Sequence, residues 1–462
     1  MGTATGRAVI AAAVLGSGMT MLDGTVVNVA LKTIGEDLDA SLSQLQWVTN
    51  GYLLSLASLI LIGGSLGDRF GRRRVFVVGT VWFALASLLC GLAPGPGMLI
   101  AARVLQGAGA ALLTPGSLAM IQGAFAPDDR PRAIGAWTGL GGIAAAIGPF
   151  VGGSLVEYAS WRWIFLINLP IAVLTVAIAH TAVPETLDPH ASRHFDLTGA
   201  VLATVALGGT TYALIEWGGP VAPYAAATAV AAGVGFVLAE RREDEPMLEL
   251  SVFRDRTFSA ANVMTLLVYA ALAAVMFFLV IELQTVAGYG PLRAGVATLP
   301  LTVCMLLLAS RGGALGARIG PRIPMTVGPV VLAVASLMFL AVDAEVSYWR
   351  DVFPAITLFG LGLALLVAPL TATVLAAAPD EHAGIASGVN NAVARAGALL
   401  AVAALPVAVG LHGEEYADPV AFDAAFRSAT VICAVLLVLG GLVSWFTIRD
   451  AVLLETGPAT GT

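Results

Sequence analysis

The chain has 462 residues, 58% of them hydrophobic and only 11% charged, with a formal net charge of −7. Soluble domains carry roughly 25% charged residues, so this composition excludes an ordinary soluble globule and places most of the chain inside a bilayer. Net charge decides little in such a protein; what matters is how the 22 arginines and single lysine divide between loops.

A helix needs ~20 mostly apolar residues to cross the hydrocarbon core. By that measure the first half has spans near 8–31, 44–66, 75–93, 98–122, 132–156 and 162–183. Two more follow near 198–216 and 221–239, and then six near 258–285, 291–311, 324–342, 350–376, 383–409 and 427–448. Only Arg7 precedes the first apolar run and no small-residue cleavage site follows it, so this run reads as a first span rather than a removed signal peptide. With the N-terminus inside, sixteen basic residues fall in cytoplasmic segments and five outside, Lys32, Arg162, Arg293, Arg350 and Arg427. These spans number fourteen, and the positive-inside bias supports an even count with both termini cytoplasmic. Cys90, Cys304 and Cys433 lie within apolar runs without metal or disulfide spacing and read as packing thiols.

In chain order, the first polar feature inside a span is Asp23, the only carboxylate well inside the apolar core of the first half. An ionised carboxylate is costly there, so such a group takes up a proton reversibly, the property a proton carrier needs. Residues 63–76, GGSLGDRFGRRRVF, set Asp68, Arg69, Arg72, Arg73 and Arg74 between spans 2 and 3. Arg103 lies in span 4 at a depth similar to Asp23; a guanidinium keeps its proton, so its role is to modulate a neighbour's proton affinity. The sequence leaves that neighbour open. Gly148, Pro149, Gly152 and Gly153 give span 5 a smooth, kinkable surface for close backbone approach.

Asn28, Asn50, Tyr52, Gln106, Asn168 and Tyr269 are polar or aromatic candidates for a substrate cavity. Glu282, near the outer end of span 9, reads either as a solvated interfacial carboxylate or as an acid on a second-half pathway that attracts cationic ligands. Arg395 lies near the middle of span 13 with Asn390 about one turn before it, and an intramembrane arginine faces a cavity or a partner. His190 and His194 read as solvated loop residues. No GxxxxGK[ST] loop is present, which disfavours an ATP-driven pump. No zinc set, nucleophile triad or Rossmann pattern is visible either, so neither catalytic residues, nor a metal, nor a cofactor, nor nucleic-acid binding is expected.

Residues 312–322, GGALGARIGPR, repeat residues 63–73, GGSLGDRFGRR, with seven of eleven positions matching. An APD triplet recurs at 126–128 and 378–380. Spans 2–5 therefore correspond to spans 10–13, as expected for two six-span halves with a two-span insert between them. Two equivalent halves around a midplane site is a transporter design.

These features converge on a known family. The chain resembles the major facilitator superfamily, and within it the fourteen-span drug:proton antiporters of the EmrB/QacA type. The resemblance covers essentially the whole chain. It is carried by LDGTVVNVAL (22–31), GSLGDRFGRRR (64–74), RVLQGAGAALLTP (103–115) and GPFVGG (148–153), with WRWIFLINLP (161–170) and LQTVAGYGPLRAGVATLP (283–300) also similar. Lys32 departs from the family's frequent proline, and Ala317 stands where the first loop has Asp68. The resemblance implies an all-α membrane protein with six-helix bundles at 8–183 and 258–448, linkers and insert at 184–257, and a short cytoplasmic tail at 449–462. It implies a multi-pass, monomeric transporter of the cell membrane that exports small amphipathic compounds against proton entry. Asp23 and Arg103 are then the coupling residues, and the span 5 block is the antiporter signature. Asp68, with Arg69, Gly71 and Arg72, is expected to act as a latch that bridges or caps across the halves and releases when they move. A proton-coupled importer with the same fold and a non-transporting membrane sensor remain as alternatives.

Overall fold

The computed structural model describes residues 3–126, 129–187, 196–243, 248, 250–377, 383–411, 413 and 415–450. Three features singled out in the sequence lie wholly or partly outside these residues: the APD triplets, His190 with His194, and most of the C-terminal tail.

The chain divides into two compact units. The first, Met1–Met247 together with Tyr289–Val296, contains nine helices among its described residues before the returning segment. They are α1 (Ala4–Leu38), α2 (Leu42–Phe70), α3 (Arg72–Gly91), α4 (Pro96–Ala124), α5 (Arg130–Tyr158), α6 (Trp163–Leu166), α7 (Asn168–Ala182), α8 (Leu197–Ile215) and α9 (Ala222–Glu240). The second, Leu248–Gly288 together with Ala297–Thr462, contains α10 (Arg256–Thr285), α12 (Leu299–Ile319), α13 (Arg322–Met338), α14 (Phe353–Ala376), α15 (Ala383–Ala408) and α16 (Pro419–Thr447). The short α11 (Pro291–Ala297) is the segment that joins the first unit.

Local chemistry sets the ends of these helices. Ser41 and Gln44 form a reciprocal capping box at the start of α2, and Asp255 accepts the Phe258 N–H at 2.8 Å to start α10. Gly71 and Gly320 end α2 and α12 at φ of 111° and 86°, backbone angles that a side chain disfavours.

One packing scheme serves both units. In the first, α2 and α3 pack on α4 while α1 packs on α5 and α7; in the second, α12 and α13 pack on α14 while α10 packs on α15 and α16. Helices α8 and α9 form a pair of their own, with α8 against α2. Small residues make the crossings close. A Cβ on Gly63 would strike the Ala111 carbonyl, and one on Gly312 would strike the Ala364 carbonyl. The core of the first unit holds Phe76, Phe83, Leu113 and Met120, all essentially buried.

Among the described residues, twelve helices are long and apolar enough to cross a membrane. The count becomes thirteen when the two parts of α2, Leu42–Ile60 and Ile62–Phe70, bent by 49°, are taken as one span. The 29-residue α5 stands in the place of the expected fifth span but outside that set.

Candidate functional site

Five helices of the first unit bring their polar residues to one point. Asp23 on α1 and Arg103 on α4 are each 1% exposed, and Arg103 Nη1 donates to Asp23 Oδ2 at 2.5 Å. The same Nη1 donates to Gln106 Oε1 at 2.6 Å, and Arg103 Nε donates to the Val48 carbonyl of α2 at 3.0 Å. The Tyr52 ring lies under the guanidinium, 4.3 Å from centroid to carbon. Gln106 Nε2 donates both to Asp23 Oδ1 and to Ser87 Oγ of α3, each at 2.8 Å. Asn168, at the start of α7, completes the cluster by donating to Asp23 Oδ1 at 3.4 Å and Ser87 Oγ at 3.3 Å.

The neighbour that the sequence left open for Arg103 is therefore Asp23. Two charges removed from water are tolerable only in good geometry with their remaining hydrogen-bonding capacity used. Here both carboxylate oxygens accept from donors, and the guanidinium meets an acid, an amide, a backbone carbonyl and an aromatic face. The cluster therefore ties the acid-bearing turn of α1 to α4 through a single guanidinium.

Ser87 was not among the sequence candidates, although it is fully buried and accepts from two of them. A serine in an apolar span usually returns its hydroxyl to its own helix backbone, so its type alone carries no signal. Cys90, one turn along α3, also touches the cluster, with Sγ 3.6 Å from Gln106 Oε1. Asn50 is fully buried, but neither side-chain polar atom has a hydrogen-bond partner among the described residues. Asn28 is half-buried on α1 and stands outside the cluster.

The glycines of α5 support this site from the side. A Cβ on Gly148 would strike Thr25 Oγ1, and one on Gly152 would lie 2.6 Å from Val26 Cγ1. Thr25 and Val26 are the residues just beyond Asp23, so the GPFVGG block sets how closely α5 holds the acid-bearing turn of α1. Its other face meets the segment 291–295: a Cβ on Gly153 would lie 2.6 Å from Leu292 Cα, and one on Gly295 would strike the Pro149 carbonyl. The Leu292 N–H donates to Glu157 Oε2 at 3.0 Å in the same contact.

The arginine-rich turn is closed by a residue the sequence did not single out. Asp68 pairs with Arg72 within its own turn, at 2.8 Å. Arg72 also donates to the Ala119 carbonyl at 3.4 Å, while Arg69 lies by the Phe70 ring. Glu185, just after α7, accepts the Arg73 N–H at 3.0 Å and sits against Gly71, where a Cβ would be 2.7 Å from its carboxyl carbon. The second unit repeats the device. Asp450, after α16, accepts the Arg322 N–H at 3.1 Å and sits against Gly320. An acid at a helix N-terminus is favourable, and each glycine leaves room for it.

Within the second unit the candidates form separate groups. Asn390 donates to Thr265 Oγ1 at 2.7 Å and to Asn262 Oδ1 at 3.2 Å, joining α15 to α10. Arg395 and Tyr269 are both half-buried, and the guanidinium interacts electrostatically with the phenol. Glu282 departs from the solvated interfacial reading: it is fully buried, and neither carboxylate oxygen has a hydrogen-bond partner among the described residues. Its charged neighbours are Asp423 and Arg427 of α16, paired with each other at 2.9 Å. The C-terminal end of α10 is thus packed under α16, a contact between distant segments that hydropathy does not register. No group of three or more potential metal ligands is found among the described residues.

Repeated bundles of membrane-spanning helices are the architecture of multi-pass secondary transporters. Residues 13–403 match the Major Facilitator Superfamily, and the chain belongs to that family. It is similar to the tetracenomycin C resistance and export protein of Streptomyces glaucescens, 35% identical over 86% of this chain and 74% of that protein. It is also similar to a methylenomycin A resistance protein of Bacillus subtilis (strain 168), 36% identical over 90% of each chain. A third relative is the puromycin resistance protein of Streptomyces alboniger, 36% identical over 99% of this chain and 94% of that one. Among solved structures, the fold matches a bacterial homologue of the human lysosomal transporter Spinster in its inward-facing form, with TM-score 0.70, 17% identity and full coverage of both chains. It also matches a bacterial homologue of human drug peptide transporters, with TM-score 0.69 and 12% identity over 96% of this chain and 98% of that one. The protein is a transporter and not an enzyme.

Proposed function

We propose that this protein exports small amphipathic organic compounds, antibiotics among them, from the cell in exchange for protons. The observation that carries the reading is the Asp23–Arg103 pair with its Gln106, Asn168 and Ser87 partners. A releasable proton site held by a non-releasing cation is the minimal machinery for exchanging a proton as helices move. The names of the three relatives, resistance and export proteins for chemically different antibiotics, support a lipophilic cargo.

In this reading the chain has fourteen spans with both termini in the cytoplasm. Two six-helix bundles at 8–183 and 258–448 flank an insert at 184–257 and alternate access to a central site. Asp23 carries the proton, Arg103 competes with it, and the α5 glycines set the sliding surface. Asn28, Asn50, Tyr52, Tyr269, Glu282, Asn390 and Arg395 contribute to substrate handling, the Asp68 turn acts as a latch, and the transporter works as a monomer.

The test is a proton-flux assay in everted vesicles with an acid interior. Adding a transported drug outside should dissipate the pH gradient with wild type and leave it standing with Asp23→Asn. Dissipation that survives in Asp23→Asn would overturn the carrier assignment. A gradient unaffected by every compound to which the wild-type protein confers resistance would overturn proton exchange itself.

A further inference from the structure

The repeat isolates one place where the two units differ. Gly79 of α3 stands against the Gly109 carbonyl of α4, and Gly328 of α13 stands in the same way against the Gly362 carbonyl of α14. With this crossing and the matched Gly63–Ala111 and Gly312–Ala364 contacts as registers, Trp82 corresponds to Val331, Leu105 to Leu358, and Ile62 to Arg311.

In the first unit the Trp82 indole reaches across to α4 and donates to the Leu105 carbonyl at 2.8 Å, so its ring occupies the groove beside α4. Val331 is too short to do the same. At that place the second unit has a cavity of about 500 Å³, lined by Leu308, Arg311 and Leu315 of α12, Val331 of α13, and Leu358 and Leu361 of α14. This volume falls within the range of small-molecule sites, roughly 300–1,000 Å³. The lining is apolar apart from Arg311.

Leu308, Arg311, Leu315 and Arg318 follow one another at three- and four-residue steps and share one face of α12. Arg311 and Arg318 are both exposed, and neither has a hydrogen bond or ion pair among the described residues. Arg311 and Arg318 stand toward the C-terminal end of α12, and unpaired guanidinium groups at a membrane surface attract anionic head groups. Two such groups in line above an apolar groove match an amphiphile with an anionic head and a long tail. Basic pockets between spanning helices take phospholipid head groups for this reason, and guanidinium geometry suits phosphate.

We propose that the α12–α13–α14 groove binds one acyl chain of an anionic phospholipid, with its phosphate held by Arg311 and Arg318. At the matching place in the first unit Trp82 reaches across to α4 and Ile62 stands where Arg311 does, so this site accounts for one lipid per chain. Head recognition falls on α12 and the tail groove runs between α12, α13 and α14, which places a lipid against the close Gly312–Ala364 crossing.

Native mass spectrometry of the detergent-purified full chain tests this, with phosphatidylglycerol and phosphatidylcholine of the same chain length as probes. The wild type should retain one phosphatidylglycerol and release phosphatidylcholine. Arg311→Gln should weaken phosphatidylglycerol retention by about tenfold, the scale of one charge-assisted hydrogen bond. Val331→Trp, which places in the second groove the residue the first unit has, should abolish it; Val331→Phe serves if the tryptophan variant does not fold. Equal retention of phosphatidylcholine would reduce the groove to ordinary lipid contact and overturn the proposal. So would unchanged phosphatidylglycerol binding in either the arginine variant or a folded groove-filling variant.

Discussion

Arg103 Nη1 lies 2.5 Å from Asp23 Oδ2, and the two side chains together present almost no surface to solvent. Eighty positions separate them in sequence, yet Gln106 and Asn168 converge on the same carboxylate from two further directions. A pair this enclosed has a definite energetic character. Breaking it from one side leaves a buried charge without its counterion, which costs about 3–5 kcal/mol. Asp23→Asn should therefore lower thermal stability as well as abolish proton exchange. The double variant Asp23→Asn/Arg103→Gln removes both charges and should recover most of that stability while transport stays absent. Thermal unfolding in detergent beside vesicle flux separates the two effects; recovered transport in the double variant would sink the coupling role.

Ser87 holds no charge, yet it accepts from both amides of the cluster. Ser87→Ala leaves Gln106 with Asp23 as its amide acceptor and weakens the hold on Asn168, at about 1–3 kcal/mol for a buried donor that loses its partner. Resistance conferred on a sensitive host should fall partway, well short of the loss in Asp23→Asn. A Ser87→Ala protein indistinguishable from wild type in both stability and resistance would show that Asp23 and Arg103 position the cluster without help from α3.

The α5 glycines give a graded test of packing against the acid-bearing turn. In Gly152→Ala the new methyl meets Val26 Cγ1 at 2.6 Å, whereas in Gly141→Ala the nearest atom is Met21 Sδ at 3.5 Å, an ordinary contact. Overpacking of this kind costs about 1–3 kcal/mol. Gly152→Ala should reduce efflux strongly and Gly141→Ala hardly at all. Equal effects from the two would mean that α1–α5 proximity is irrelevant to transport.

The turn acids separate stability from motion. Glu185 joins the Arg73 N–H, the arginine side chains and the open face of Gly71, so Glu185→Ala should destabilise the first unit clearly. Among the described residues Asp68 pairs with the partly exposed Arg72 across the α2–α3 turn, and a surface pair of this kind is worth about 0–1 kcal/mol. Asp68→Asn should therefore leave expression and melting unchanged, and any loss of transport from it reports on the latch. Full transport by Asp68→Asn would end that assignment.

The second turn offers a parallel measurement. Asp450→Asn keeps the shape of the acid against Gly320 but weakens its acceptance of the Arg322 N–H, so melting should fall by less than in Glu185→Ala. A larger loss than in Glu185→Ala would mean that the two turns do not share one design.

The sequence by itself determined that the chain lives in a bilayer and that its halves repeat, and it singled out the polar residues placed within spans. Apolar runs, the GGSLGDRFGRR echo and a lone aspartate in a span are local signals, legible because water and lipid treat each segment independently. Asp23, Arg103 and the GPFVGG glycines could be singled out on that basis. Only the tertiary structure decided who meets whom. The pairing of Asp23 with Arg103, the part of Ser87, the burial of Glu282 and the seating of Glu185 on Gly71 all arise from crossings between helices far apart in the chain. Hydropathy is a property of a single helix, whereas a hydrogen bond across a bundle depends on rotation and depth of two. The same limit hid the groove beside Val331: a valine in a membrane span looks ordinary until its counterpart in the other unit turns out to be a tryptophan that reaches across to the next helix.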